Sequence, residues 1–174
     1  SLRELGWYKT SSEPDLRQWL DLVALGTVCD VAPLTGINRV FVTQGGKIMA
    51  ARGNAGISAL ADIAGIDEPP SAYHAGFVLG PRVNAGGRVG ESDLGARLLA
   101  SNDPGECQAI ALRLDGYNKE RRDIELRCLE EAIDMIEAVP TDPGVVFVAA
   151  HGWHAGVIGI VASRLVERYN RPAC

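Results

Sequence analysis

Gly144-Val145-Val146-Phe147-Val148-Ala149-Ala150, then His151-Gly152-Trp153-His154-Ala155-Gly156, then Val157 to Asn170, read in order as a strand, a turn and a helix. The first segment is β-branched and apolar, the composition of a buried strand. The last is apolar at Ile158, Val161, Leu165 and Val166, with Arg164, Glu167 and Arg168 around them, the pattern of an amphipathic helix. A strand-to-helix turn of this kind aims free backbone N–H groups and the positive end of the helix dipole at one spot, which suits an anion such as phosphate. Gly152, Gly156 and Gly159 leave room for close approach, and the His154 imidazole can donate to a phosphate oxygen or bind a metal. An ordinary βα turn whose glycines only ease packing would show the same spacing, so the turn by itself leaves both readings open.

No other strand is predicted, and one strand cannot make a sheet. Both ends look cut: Ser1 enters without an initiator Met, and Cys174 stops just after Asn170-Arg171-Pro172, where a βα unit would feed a second strand. The expectation is a piece of an α/β protein whose sheet partners are partly missing.

Composition bounds the rest. Hydrophobic residues make up 47% of the 174 and charged ones 22%, which describes globular material, enough for one ordinary domain or parts of two. No apolar run approaches the ~20 residues that span a bilayer, and Ser1-Leu2-Arg3-Glu4 is not a signal peptide, so no membrane role is expected. Cys29, Cys107, Cys128 and Cys174 stand far apart with no CxxC pair; they read as reduced thiols of a cytoplasmic protein, not as a disulfide frame or zinc site. A net charge of −5 argues against broad non-specific affinity for nucleic acid but not against a local basic groove.

A first helix is expected from Glu13-Pro14-Asp15 to about Gly26-Thr27, with Asp21 facing solvent. A second should run from Asn38 to Ala51, open to interruption at Gly45-Gly46, and a short one from Ser58 to Ala64. Residues 76–90 hold five glycines and a proline and read as a glycine-rich loop. Arg82, Asn84 and Arg88 on that loop form a candidate contact surface for phosphate or nucleic acid; the competing reading has the arginines solvated or paired with Glu91 and Asp93. After a helix near Leu94 to Ala100, Asn102-Asp103-Pro104 supplies a cap and a helix-start proline. The helix that follows should reach about Ala138, since Ile110, Leu114, Tyr117, Ile124, Cys128, Ala132 and Met135 keep a nearly 3.5-residue repeat broken at Arg121. The run Lys119-Glu120-Arg121-Arg122-Asp123-Ile124-Glu125 reads as a solvated face, and a helix of this length suits a bridge between two subdomains.

Three stretches then stand in order: Ala24-Leu25-Gly26-Thr27-Val28-Cys29-Asp30-Val31-Ala32-Pro33-Leu34, Leu79-Gly80-Pro81-Arg82-Val83-Asn84-Ala85-Gly86-Gly87-Arg88, and Gly152-Trp153-His154-Ala155-Gly156-Val157-Ile158-Gly159-Ile160-Val161-Ala162-Ser163-Arg164. With Leu114-Asp115-Gly116-Tyr117-Asn118-Lys119-Glu120-Arg121-Arg122 between the last two, they resemble the single-strand-specific 5′→3′ DNA exonucleases of the DHH phosphoesterase superfamily. The resemblance covers nearly the whole chain. It implies an α/β fold, mostly helical over this stretch: the C-terminal part of a DHH domain over 1–103, a long connecting helix over 104–139, and the start of a DHHA1 domain over 140–174. It also implies two divalent cations, Mn²⁺ or Mg²⁺, which activate a water and neutralise charge on the scissile phosphodiester.

The family's Asp-x-Asp and Asp-His-His metal motifs do not occur in this chain. The resemblance leaves Asp30 as a metal ligand and catalytic residue, with Asp21 as its rival. It places Arg82, Asn84 and Arg88 on a loop facing the substrate. It assigns Gly152, His154, Gly156 and Ser163 to the motif that handles the strand end, with His154 also catalytic. Two residues depart from the family pattern: Ala155 stands where Pro is common, and Gly86, where Ala is usual, is expected to loosen the loop. His151 is expected to be exposed and incidental. The activity implied is DNA repair and recombination by degradation of single-stranded DNA from its 5′ end, by a cytoplasmic monomer, with helicases or single-strand-binding proteins as candidate partners. The piece alone should be inactive. Relatives acting on short oligonucleotides or cyclic dinucleotides, and catalytically inactive DNA-binding or scaffold relatives, are the alternatives.

Overall fold

The computed structural model describes residues 1–139 and 144–174, and they are mostly helical. After 3₁₀ turns at Trp7–Lys9 and Leu16–Trp19 come α1 (Leu20–Cys29), α2 (Gly36–Ala50) and α3 (Ala55–Ile63). A π-wound segment, His74–Leu79, runs without a break into α4 (Gly80–Val89), followed by α5 (Leu94–Ala100), α6 (Pro104–Glu137) and α7 (Ala155–Tyr169). The expected boundary between residues 139 and 140 lies at the edge of the segment outside the described residues.

α6 starts where the sequence expects it. Asp103 accepts from the Glu106 backbone N–H at 2.9 Å and Pro104 occupies the first helical turn. Its first half packs Cys107, Ile110, Ala111 and Leu114 into a cluster with Leu25, Leu60, Leu79, Leu94 and Leu98. Its second half packs Cys128 and Ala132 with Val146, Val157, Val161 and Leu165 of the C-terminal segment. One helix therefore carries two apolar clusters in series.

Several expectations need correction. The first helix begins later than its sequence suggests, because Asp15 caps the 3₁₀ turn, accepting from the Arg17 backbone N–H at 3.1 Å, and α-winding starts only at Leu20. Asp21 is buried, not solvent-facing, at 2% exposure. α2 crosses α1 so closely that a Cβ on Gly45 would lie 2.0 Å from the Leu20 carbonyl oxygen. Burial pushes the Asp21 carboxyl above its ordinary range, against the hydrogen bond it accepts from the Leu22 backbone N–H at 2.7 Å. The same close approach explains why Gly45-Gly46 does not interrupt α2.

The glycine-rich stretch is helical, not a loop. Glycine costs about 1 kcal/mol in a helix interior, but at Gly80 and Gly86 neighbours come within contact of the backbone. A Cβ on Gly86 would meet the Glu91 carbonyl oxygen at 2.3 Å and the Leu114 side chain at 3.3 Å. Gly86 thus seats α4 against α6 and loosens nothing.

The segment from Val145 to Ala150 forms less strand than expected. Val146 makes a single parallel bridge to Ala173, with Val146 N–H donating to Pro172 O at 2.8 Å and Cys174 N–H to Val146 O at 2.9 Å. Only Val146 is fully buried, while Val145 and Phe147 are exposed, so the pattern is one-sided. The order bridge, helix, bridge follows that of a βα unit, with Ala173 lying parallel to Val146.

Candidate nucleic-acid interface

The apolar stripe of α6 passes through Ile110, Leu114 and Tyr117, and its next position is Arg121. Placed in core register, the guanidinium is pulled inside: its side chain is 11% exposed. Glu125, one turn on and 3% exposed, accepts from Arg121 Nη1 at 2.5 Å and from Arg164 Nε of α7. Arg121 Nη2 also donates to Asn118 Oδ1 at 3.1 Å, while its Nε is buried without a partner. Burial lowers the Arg121 pKa against the pull of Glu125, and the neighbouring Arg122 and Arg88 lower it further. The charged run read as a solvated face is therefore solvated on one side only.

This triad edges an open cleft of about 750 Å³ between the helices. Asn84, Arg88, Asn118, Lys119, Arg121, Arg122 and Arg164 line it, with Asp123 and Glu125 as its carboxylates and Phe77, Pro81, Leu126 and Ile160 as its apolar surface. Five cationic side chains face two anionic ones here, in a chain of net charge −5. The excess cannot be an average property of the surface.

Of the site residues expected from sequence, the structure brings Asn84 and Arg88 to the cleft. Arg88 Nη1 donates to the Gly156 carbonyl at 3.1 Å, joining α4 to α7. Arg82 goes elsewhere: it is 16% exposed, donates from Nε to Asp115 Oδ1 at 2.9 Å and from Nη1 to the Val78 carbonyl at 2.8 Å, and does not line the cleft. Burial raises the Asp115 pKa, but Lys119 and Arg82 outweigh it and hold the carboxyl below its ordinary range. Arg82 is an internal tie between α4 and α6, and its partner is neither Glu91 nor Asp93; those carboxylates pair with Arg113 and Arg97.

Asp30 caps the end of α1, exposed, directly after cleft-lining Cys29. No ion pair engages its carboxylate, and no group of three or more metal-ligating side chains occurs among the described residues.

His154 is the N-cap of α7 and is exposed; its Nδ1 accepts from the Gly156 backbone N–H at 3.0 Å. An accepting Nδ1 puts the proton of the neutral ring on Nε2, leaving that N–H as a donor. Gly152 has φ +86°, the left-handed region. Gly156 does not, and its constraint is contact: a Cβ there would lie 2.1 Å from the Arg88 carbonyl oxygen. Ser163 is exposed beside Arg164 but does not line the cleft, and His151 is exposed as expected.

Sequence reading missed Lys119, Arg121, Arg122, Arg164, Phe77 and Leu126 as cleft residues. The break in the α6 repeat at Arg121 was the available signal, since a charge in core register must find a partner.

No protein-family model matches the chain. The single-stranded-DNA-specific exonuclease RecJ of Dickeya dadantii is 41% identical over 99% of this chain and 31% of its own length. RecJ of Escherichia coli K12 is 41% identical over 98% of this chain, again 31% of its own length. Crystal structures of Thermus thermophilus RecJ with Mn²⁺ and with Mg²⁺ each superpose with a TM-score of 0.84 at 33% identity, covering 95% of this chain. By sequence and by fold, this chain belongs to the RecJ family, and it spans between about a fifth and a third of the length of the curated relatives it matches.

Proposed function

We propose that this chain is part of a metal-dependent exonuclease that degrades single-stranded DNA from its 5′ end in repair and recombination. The observation that carries this reading is the basic cleft. It is supported by relatives described as single-stranded-DNA-specific exonucleases. In this reading the first apolar cluster belongs to a DHH domain (1–103), α6 is its connecting helix (104–139), and residues 140–174 begin a DHHA1 domain. The protein works as a cytoplasmic monomer, with helicases or single-strand-binding proteins as partners. No described helix is long and apolar enough to cross a membrane.

The roles follow from chemistry. Asn84, Arg88, Arg122 and the half-exposed Arg164 hold the phosphates of the strand, with buried Arg121 fixing Glu125 behind Arg164; the guanidinium forks suit phosphate oxygens. His154 donates from Nε2 to a phosphate near the cleaved end, and the positive end of the α7 dipole favours the same anion. Asp30 fits one position of a Mn²⁺ or Mg²⁺ site: a hard oxygen donor, exposed, and not engaged by a cation of the protein. Bound divalent cations would supply an activated water and neutralise phosphodiester charge. One carboxylate cannot hold two ions, so the chain alone should show no nuclease activity.

The cleft is tested by titrating single-stranded DNA at several salt concentrations. Arg88→Ala in the full-length protein should weaken binding for every base composition and flatten the log–log salt slope by about one unit. An unchanged slope with unchanged affinity would remove Arg88 from the phosphate path. Arg82→Ala, by contrast, should leave the slope alone, because its charge is spent on Asp115.

His154 has two jobs, and two variants separate them. His154→Ala removes both the cap and the donor, so it should cost about 1 kcal/mol of stability and lower turnover strongly. His154→Asn keeps an acceptor for the Gly156 amide and drops the imidazole donor. It should recover the stability but not the turnover. Full recovery of turnover by His154→Asn would reduce the residue to a helix cap.

A further inference from the structure

Two exposed aromatic rings stand together at the cleft. Tyr73 and Phe77 are 63% and 71% exposed, yet their rings stack, with centroids 5.2 Å apart and planes 28° from parallel. Phe77 lines the cleft, flanked in sequence by Gly76 and close to Gly80 and Pro81, which also line it. It lies in the π-wound segment, where the extra residue per turn is a costly geometry often found at binding sites. A large ring held open to solvent and braced by a second ring is poorly explained by packing. In a cleft whose other walls carry guanidinium groups, it completes an amphipathic surface.

A single nucleic-acid strand has the matching character: a line of phosphates and a set of unpaired base faces. We propose that Phe77, braced by Tyr73, is a stacking platform for a base of the single strand whose phosphates lie on Arg88, Arg122 and Arg164, an assignment that rests on the nucleic-acid reading of the cleft. Phosphate contacts alone do not distinguish one strand from two, since both present the same charged oxygens. An aromatic face does, because a duplex keeps its base faces inside the stack while a free strand offers them. Phe77 is thus a specificity-determining residue, sequence-tolerant because every base has a π face. The alternative occupant, an apolar protein segment covering the ring, would make Phe77 a stability residue with no interest in bases.

The test compares two 5′-phosphorylated probes of equal length, oligo(dT) and an oligonucleotide whose central residues are abasic. Binding to the full-length protein is measured without divalent cations, so that nothing is cleaved. Phe77→Leu keeps apolar bulk and removes the π face; Phe77→Tyr restores it. Phe77→Leu should weaken oligo(dT) binding roughly tenfold, leave abasic binding and the salt slope unchanged, and leave the melting temperature unchanged. Phe77→Tyr should bind as the parent does. Equal affinity of Phe77→Leu and parent for oligo(dT), an equal loss on the abasic probe, or a marked fall in melting temperature would each overturn the platform. If the parent binds both probes equally well, the platform falls while the basic cleft stands; if it binds neither, the nucleic-acid reading falls with it.

Discussion

Asp30→Ala in the full-length protein is expected to lower turnover by more than about 100-fold with no change in melting temperature. Loss of even a group that merely supports a metal ligand costs roughly 10–100-fold, and a direct ligand should cost more. The fold should not notice, because the Asp30 side chain is exposed and what ends α1 is its backbone N–H, which donates to the Gly26 carbonyl at 2.9 Å. Asp21→Asn is the matched control. Its carboxyl is buried, so the variant should keep near-normal turnover and, at neutral pH, lose no stability. Near-normal turnover in Asp30→Ala together with a collapse in Asp21→Asn would exchange the two roles.

The second large effect concerns Glu125. Glu125→Ala strands Arg121 inside the protein with no carboxylate, and removing one partner of a buried pair costs about 3–5 kcal/mol. Arg164 adds little to this figure, since half of its side chain is exposed and solvent screens it. For a unit of this size the melting temperature should fall by roughly 10 °C. The double variant Arg121→Met/Glu125→Leu replaces the pair with apolar groups of similar volume and should recover most of that loss. It should still bind single-stranded DNA more weakly than the parent, because Arg164 then loses the carboxylate that positions it. A loss below about 1 kcal/mol in Glu125→Ala would mean that the triad is solvated and not structural.

What the sequence revealed, and what it hid, has a common physical cause. Local signals were legible. Asp103-Pro104 marked the start of α6, the apolar spacing marked α7, and Leu94 to Ala100 appeared as a helix with the bounds it has. Signals that depend on a distant neighbour were not. Residues 76–90 look like a loop by glycine content, and only the backbone of Glu91 and the Leu114 side chain explain the helix. Arg82 looks like a ligand contact until Asp115, 33 residues on, is seen beside it. The triad joins residues 39 apart, Glu125 and Arg164, and no periodicity reports such a pair. Even so, the interruption of an apolar repeat by Arg121 was visible, and it pointed to the cleft.

α6 has a mechanical consequence. Its fully buried apolar residues end at Leu114 and resume at Cys128, a span of about 21 Å at 1.5 Å per residue, with the half-buried Tyr117 and Ile124 extending each cluster inward. The buried side chains between them are polar: Asp115, Asn118 and Glu125. The helix is a rod gripped at both ends and held in the middle by charge. The two ends are tied again from Arg164 to Glu125 and from Arg88 to the Gly156 carbonyl, so the width of the cleft is set by one helix and two guanidinium groups.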